Sequence, residues 1–208
     1  MTIILKNVIL NKLFNLIFIT GEAMKGVVYG SPIIGVFYGS DTQNTETVAN
    51  RIVEILNEKV AAGIAESIDI ADSSKEEIDA FDFILFGIPT WYYGEAQCDW
   101  DDFFPELEQI DFSGKLVAIF GCGDQVGYAE YFLDAMGMVR DIVEPKGALM
   151  LGEWPTDGYD FIKSKGLTDD NQRFVGLGID EDCQPELTEE RIQKWCDQII
   201  DEMSLQSL

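Results

Sequence analysis

Tyr38-Gly39-Ser40-Asp41-Thr42-Gln43-Asn44-Thr45 is a turn made largely of polar side chains around one glycine. It follows the apolar run 33–37, which is typical of a buried strand, and it leads into apolar residues at helical spacing between Val48 and Val60. The pattern predicts a strand that passes through this polar turn directly into a helix.

The turn has the composition of a phosphate-binding loop. Backbone N–H groups at the start of a helix are unpaired and lie at the positive end of its dipole, so they bind anions. Ser40, Thr42 and Thr45 add hydroxyl donors at the same place. Because no lysine follows a second glycine, the turn does not predict ATP or GTP binding. The alternative interpretation is an ordinary polar turn in which Asn44 or Thr45 caps the helix.

The charge of the chain limits its partners. Of its 208 residues 14 are basic and 38 acidic, which gives a net charge of −24. This length suits one α/β domain better than two. The negative charge repels nucleic acid and anionic membrane surfaces and attracts basic proteins. We therefore predict no binding to nucleic acid or membranes.

The chain contains no histidine and four cysteines. The lack of histidine removes the most frequent general base and the imidazole ligands of zinc, so we predict no metal site and no histidine-activated nucleophile. The cysteines have neither C-x-x-C spacing nor the density of a disulfide framework, which suits reduced thiols in the cytoplasm.

Residues 1–32 differ from the rest of the chain in charge. They carry Lys6, Lys12 and Lys25 against Glu22, a net charge of +2, so the remaining residues hold −26. Polar residues interrupt the apolar runs before they reach the roughly 18 residues that a membrane span needs. We interpret this segment as an N-terminal extension outside the functional domain, either upstream of a true start at Met24 or serving as a sorting signal.

Two more loops of unusual composition follow strand-like runs. The apolar run 81–88 is typical of a strand buried on both faces, and it ends at Pro89-Thr90-Trp91-Tyr92-Tyr93-Gly94, which we predict to be a loop. The run 116–120 ends at Gly121-Cys122-Gly123-Asp124-Gln125-Val126-Gly127-Tyr128. These glycines do not make a dinucleotide fingerprint, because Val126 stands where G-x-G-x-x-G requires glycine.

Helical patterns alternate with these strands. Two short strand-like pieces, 148–151 and 173–177, are separated by a loop over 152–172, and a loop of that length is usually functional. The alternation predicts a doubly wound parallel α/β sheet, in which the three unusual loops meet at the carboxyl edge of the strands. Three further helices are predicted over 100–107, 132–143 and 188–203. Pro105 weakens the prediction of the first of them.

The three loops offer complementary groups to one ligand. The first offers phosphate donors, the second offers three consecutive aromatic residues, and the third offers Tyr128 beside the peptides of Gly123 and Asp124. A ligand with a phosphate at one end and a flat conjugated ring at the other would use all three. Flavin mononucleotide (FMN) fits this description. The alternative is that Trp91 and Tyr128 pack as ordinary rim residues.

These loops resemble those of the flavodoxin family in its long-chain form, over residues 33 to about 205. The resemblance also rests on Trp154-Pro155-Thr156 and Phe174-Val175-Gly176-Leu177. It implies a flavodoxin-like domain over 33–208 with a five-stranded parallel sheet of order 2-1-3-4-5, for which flavodoxin is a standard example, and FMN at its edge. It further implies that the long loop splits the fifth strand.

The resemblance also implies how the flavin is held. Trp91 and Tyr128 would flank the isoalloxazine ring, and Asp124 with its neighbouring peptides would bond the pyrimidine edge. The Tyr92-Tyr93 peptide would turn its carbonyl towards flavin N5 on reduction, and Asp182 would lie near the ribityl chain. The predicted cofactor-binding residues are Ser40, Asp41, Thr42, Gln43, Asn44, Thr45, Pro89, Thr90, Trp91, Tyr92, Tyr93, Gly94, Cys122, Gly123, Asp124, Tyr128 and Asp182.

One residue departs from the family pattern. The phosphate loop usually has glycine where this chain has Gln43, and the difference is costly only if the backbone there needs positive φ.

By resemblance, the protein is a monomeric, low-potential one-electron carrier with no catalytic residues of its own. It would accept electrons from a basic reductase, of the flavodoxin-NADP or ferredoxin-NADP type, and pass them to radical or cobalamin-dependent enzymes. The alternative is an FMN-dependent NAD(P)H:quinone oxidoreductase on the same fold, although the flavin loops contain no basic residue for a 2'-phosphate. A phospho-acceptor signalling domain would need an aspartate where Pro89-Thr90 stands.

Overall fold

A computed structural model of the chain describes residues 33–206, so the predicted extension over 1–32 lies outside the described residues. The strands are β1 Ile34–Tyr38, β2 Ala65–Asp69, β3 Phe83–Trp91, β4 Glu95–Ala96, β5 Leu116–Cys122, β6 Leu149–Leu151, β7 Trp154–Pro155, β8 Arg173–Phe174 and β9 Leu177–Ile179. The α-helices are α1 Asn44–Lys59, α2 Lys75–Asp79, α3 Cys98–Leu107, α4 Asp134–Val143 and α5 Thr188–Gln206, and short 3-10 helices span Ile70–Asp72, Glu144–Lys146 and Pro185–Leu187.

The main sheet is parallel, apart from the short β4 that pairs antiparallel with the end of β3. It runs in the order β2-β1-β3-β5, with a fifth strand in two pieces. β6 pairs with the first half of β5, Leu116–Ala118, and β9 pairs with the second half, Phe120–Cys122. Every residue of β1 and β5 is buried, as expected for strands covered on both faces. The predicted order 2-1-3-4-5 and the split of the fifth strand are therefore confirmed.

Helices cover both faces of this sheet. On one face the ring of Phe120 contacts Trp195 of α5, and on the other Gly121 lies against Met136 of α4. Trp100 of α3 packs edge-on against Phe86, with ring centroids 5.6 Å apart. Because side chains alternate along a strand, these contacts place α5 opposite α3 and α4. No helix within residues 33–206 is long and apolar enough to cross a membrane.

The third strand is longer than the sequence indicates. Pro89, Thr90 and Trp91 were predicted to lie in a loop, but β3 continues through them and pairs with β5 as far as Pro89 and Cys122. Gly39 N–H donates to Gly87 O, so Gly87 faces β1, and by alternation Pro89 faces the same side, beyond the end of β1. The missing N–H of proline therefore costs no ladder bond.

The fifth strand resumes later than predicted. Residues 173–177 were predicted as one strand piece, but Arg173–Phe174 pairs with Trp154–Pro155 in a separate two-stranded sheet. Only Leu177–Ile179 returns to β5. Pro105 lies in the last turn of α3, which continues to Leu107, so the proline does not end the helix.

Candidate cofactor-binding site

The phosphate loop leads into a helix without a side-chain cap. α1 begins at Asn44, and the capping position is held by Gln43, whose side chain makes no capping hydrogen bond. The alternative interpretation, with Asn44 or Thr45 as the cap, is therefore wrong. A helix start leaves its first backbone N–H groups unpaired, and here they stay available to an anion.

The backbone of Gln43 is left-handed, with φ 68° and ψ −2°. A residue with a Cβ atom loses about 1–2 kcal/mol in this conformation. The departure from the family glycine therefore falls at a position that does require positive φ. The side chain of Gln43 is exposed to solvent.

A buried amide holds the phosphate loop in place. Gln97 is 1% exposed, and its Nε2 donates to Asp41 Oδ1 at 3.1 Å and to Asp99 Oδ2 at 2.5 Å. Its Oε1 accepts from the backbone N–H of Trp100, at the start of α3. The loop is thus tied to the first turn of a second helix. Sequence reasoning missed Gln97, because an isolated glutamine carries no motif.

The aromatic loop turns sharply after β3. Tyr92 has φ 44° and Gly94 has φ 91°, and Gly94 N–H closes the turn by donating to Trp91 O at 3.1 Å. Thr90 Oγ1 accepts from Ala135 N–H at 3.1 Å, which fixes the strand end to the start of α4. Tyr93 is 72% exposed and packs edge-on against Tyr131.

The third loop is braced by its own carboxylate. Asp124 Oδ1 accepts from the N–H groups of Val126 at 3.0 Å and Gly127 at 2.7 Å. Gly123 N–H donates to Ile179 O at 3.0 Å, which anchors the loop to β9. This oxygen of Asp124 and the N–H groups of Gly123, Val126 and Gly127 are therefore engaged within the protein, which holds the loop in one shape for a ligand edge.

A second buried carboxylate joins this loop to the segment after β9. Asp180 is fully buried, and its Oδ2 accepts from the backbone and side-chain amides of Gln125 at 3.0 and 2.7 Å. Its Oδ1 accepts from the N–H groups of Asp182 and Cys183. Burial, followed by the neighbouring charges of Asp124 and Asp180, raises the pKa of Asp182.

The three loops, together with Asp182 in the segment after β9, line one open cavity of about 250 Å³. Five predicted residues, Ser40, Asp41, Gln43, Tyr93 and Gly94, belong to these loops but do not line the cavity. The lining residues are Thr42, Asn44, Thr45, Pro89, Thr90, Trp91, Tyr92, Cys122, Gly123, Asp124, Tyr128 and Asp182, all of which were predicted.

The unpaired polar atoms of the loops fit a phosphate-bearing aromatic ligand. Ser40 Oγ in the phosphate loop and Trp91 Nε1 in the aromatic loop are buried without a hydrogen-bond partner among the described residues. A buried group of this kind costs about 1–3 kcal/mol, which a ligand in contact with it would recover. Of the two residues, Trp91 lines the cavity, whereas Ser40 belongs to the phosphate loop without lining it. Burial raises the pKa of the Cys122 thiol to about 12, so this thiol in the cavity wall is uncharged.

The sequence matches the model of the flavodoxin family over residues 36–195. The chain belongs to the flavodoxin family. A flavodoxin of Haemophilus influenzae is 62% identical over 176 residues, which cover 85% of this chain and 98% of that protein. Flavodoxin 1 of Escherichia coli K12 is 60% identical over 85% of this chain and 97% of its own length.

A solved flavodoxin structure agrees with this membership. The crystal structure of Fusobacterium nucleatum flavodoxin bound to flavin mononucleotide has a TM-score of 0.75 and 32% identity. The match covers 81% of this chain and 97% of that one. The fold of this flavodoxin is therefore that of its family.

Proposed function

We propose that this flavodoxin carries electrons one at a time between other redox proteins, with FMN bound in the cavity between its three loops. The observation that carries the proposal is the convergence of an uncapped helix start, an exposed aromatic turn and a peptide-rich loop on one cavity. FMN supplies the redox chemistry, because its ring takes up and releases single electrons.

Different residues of the cavity would bind different parts of the cofactor. The start of α1, with Ser40, Thr42 and Thr45, would hold the phosphate, since this is where unpaired donors collect. Trp91 and Tyr128 would flank the ring. The Tyr92-Tyr93 peptide lies in a turn with φ 44° at Tyr92, where a rotation would redirect its carbonyl.

The charge around the cavity favours a low reduction potential. Asp124 and Asp182 line the cavity, and Asp180 lies behind them. One charge at about 10 Å opposes added negative charge by about 1.7 kcal/mol at an effective dielectric constant of about 20. For a single electron this corresponds to about 70 mV, before screening by salt.

The partners we propose are basic redox proteins. A net charge of −24 would steer a positively charged reductase of the flavodoxin or ferredoxin-NADP type, and radical or cobalamin-dependent acceptors, towards this protein. We further propose that it works as a monomer in the cytoplasm, where its four free cysteines would remain reduced. The functional domain would comprise 33–208.

The competing function, NAD(P)H:quinone oxidation, finds no support in the cavity. None of the residues that line it is basic, so nothing there matches the 2'-phosphate of NADPH.

Two assays on the same preparation test the proposal. Titration with FMN should quench flavin fluorescence at one equivalent and turn the protein yellow. The loaded protein should then oxidise NADPH with quinone only after a reductase is added. Turnover without a reductase would favour the enzyme, and a protein that does not bind FMN would refute both functions.

A further inference from the structure

A second surface lies at the free edge of the fifth strand. β6 pairs with β5 along one side only, and no other described strand lies beside it. Leu149 N–H donates to Lys115 O at 2.9 Å, so Leu149 faces β5, and by alternation the N–H and C=O of Met150 point to the open edge. Met150 is half-buried and lines an open cavity on each side of the strand, so this edge is accessible to solvent. An open edge of this kind can accept an added strand.

A cavity flanks this edge on each face of the sheet, and Met150 and Glu153 line both. The first cavity, about 360 Å³, lies on the α4 side, where four carboxylates stand against the single guanidinium of Arg140, a net charge of −3. Those carboxylates belong to Glu144, Glu153, Asp169 and Asp170.

The second cavity, about 440 Å³, lies on the α5 side. Glu202 and Glu153 line it against Arg173, which leaves a net charge of −1. Successive side chains of a strand added beside β6 would alternate between the two cavities, because a strand has a period of two. Charge complementarity then requires basic side chains at every second position, directed into the first cavity.

We propose that the β6 edge docks an extended basic segment of a partner protein by strand addition. A second copy of this chain would bring its own large negative charge to an acidic surface, so it does not fit. The surface is distinct from the flavin cavity: β6 pairs with β5 around Val117, and the cavity begins at Cys122, about 16 Å further along the strand. Docking here leaves the flavin edge free.

The test uses the full chain and a synthetic peptide of alternating lysine and valine, with a glutamate-valine peptide for comparison. We expect the lysine peptide to bind, to weaken as salt is raised, and to protect the Met150 amide from hydrogen exchange. Met150→Pro, which removes the outward N–H, should abolish both binding and protection.

A variant that removes two acidic charges tests the proposal even if Met150→Pro fails to fold. Glu144→Gln with Asp169→Asn should weaken peptide binding by about three- to tenfold, the range expected for two exposed ion pairs. The matched control, Glu58→Gln with Glu66→Gln, removes the same charge from exposed positions at the opposite edge and should change affinity less than twofold.

Three results would overturn the proposal. The Met150 amide could stay unprotected at saturating peptide, or both charge variants could weaken binding equally, as for diffuse attraction to an acidic protein. Binding that arises only after removal of residues 1–32 would identify the chain's own basic segment as the occupant. None of these results depends on FMN, so they stand apart from the flavin assays.

Discussion

Trp91 is the residue on which the aromatic wall of the cavity depends. Its side chain is half-buried at the end of β3, its Nε1 has no partner among the described residues, and its ring lies 5.9 Å from that of Tyr92. Trp91→Ala should weaken FMN binding by about 1–3 kcal/mol, the value of burying a large apolar side chain. Fluorescence titration measures this affinity.

Tyr93→Ala is the matched control, because Tyr93 is more exposed and does not line the cavity. It should change FMN affinity much less. Equal losses in the two variants would mean that Trp91 acts only through the shape of the turn.

Gln43 adopts a strained, left-handed backbone conformation in the phosphate loop. Gln43→Gly should relieve the left-handed strain, but it also increases the entropy of the unfolded chain, so we expect a net gain of up to about 1 kcal/mol. Urea unfolding measures it. Asn171→Gly is the control, because Asn171 also has positive φ and asparagine tolerates that conformation better. A loss of stability in Gln43→Gly would contradict this account of the loop.

Strand and helix boundaries show where sequence reasoning succeeds. The strand-turn-helix at residues 33–60 and the run into β5 were predictable, because buried parallel strands and amphipathic helices have distinct apolar periods. The extension of β3 through Pro89 could not be predicted, because it depends on where β1 ends. The last residue of β1 pairs with Gly87, two residues before Pro89. Gln97 and Asp180 were also missed, because their roles arise only from contacts between distant segments.

Gly176 controls how the long loop rejoins the sheet. A Cβ atom there would lie 1.9 Å from Ile119 O, a backbone atom that moves only if β5 moves. Gly176→Ala should therefore lower the free energy of unfolding by about 2–3 kcal/mol, measured by urea titration. Gly158→Ala meets no atom within 4 Å but has φ 87°, so it should cost only the left-handed strain, about 1 kcal/mol. Equal losses would show that crowding at Gly176 is not the cause.

An ion pair joins the two helices on the α5 face. Arg51 of α1 donates to both carboxylate oxygens of Glu189 in α5, at 2.7 to 3.2 Å. The hydrogen bonds from Arg51, and then from Gln193, lower the pKa of Glu189 to about 2. A carboxyl group whose pKa is lower in the folded state stabilises the fold at pH values above its pKa in the unfolded state. This stabilisation is lost as the pH falls towards 2.

Glu189→Gln should therefore lower the free energy of unfolding at pH 7, by about 1 kcal/mol or less because the pair is partly exposed. The difference from the parent should shrink between pH 4.5 and pH 3, as urea titrations at each pH would measure. Glu186→Gln, at an exposed position just before α5, should show no such trend. A difference that persists unchanged in acid would rule out the ion pair as its source.

At the scale of the whole molecule, charge and topology act together. The sheet brings three loops to one edge, and the acidic surface surrounds them with negative potential. The sheet order and the composition of the cavity followed from sequence, because both rest on patterns within single segments and on a family resemblance. The acidic cavities beside β6 could not be predicted from the sequence, because residues from four separate segments form them.

The proposed role of the cavity is to hold FMN and to pass single electrons. The most direct test is the visible spectrum of the FMN-loaded protein during stepwise photoreduction. We expect a yellow protein that is reduced in two resolved one-electron stages. A colourless protein after FMN addition, or a single two-electron bleach, would contradict the claim.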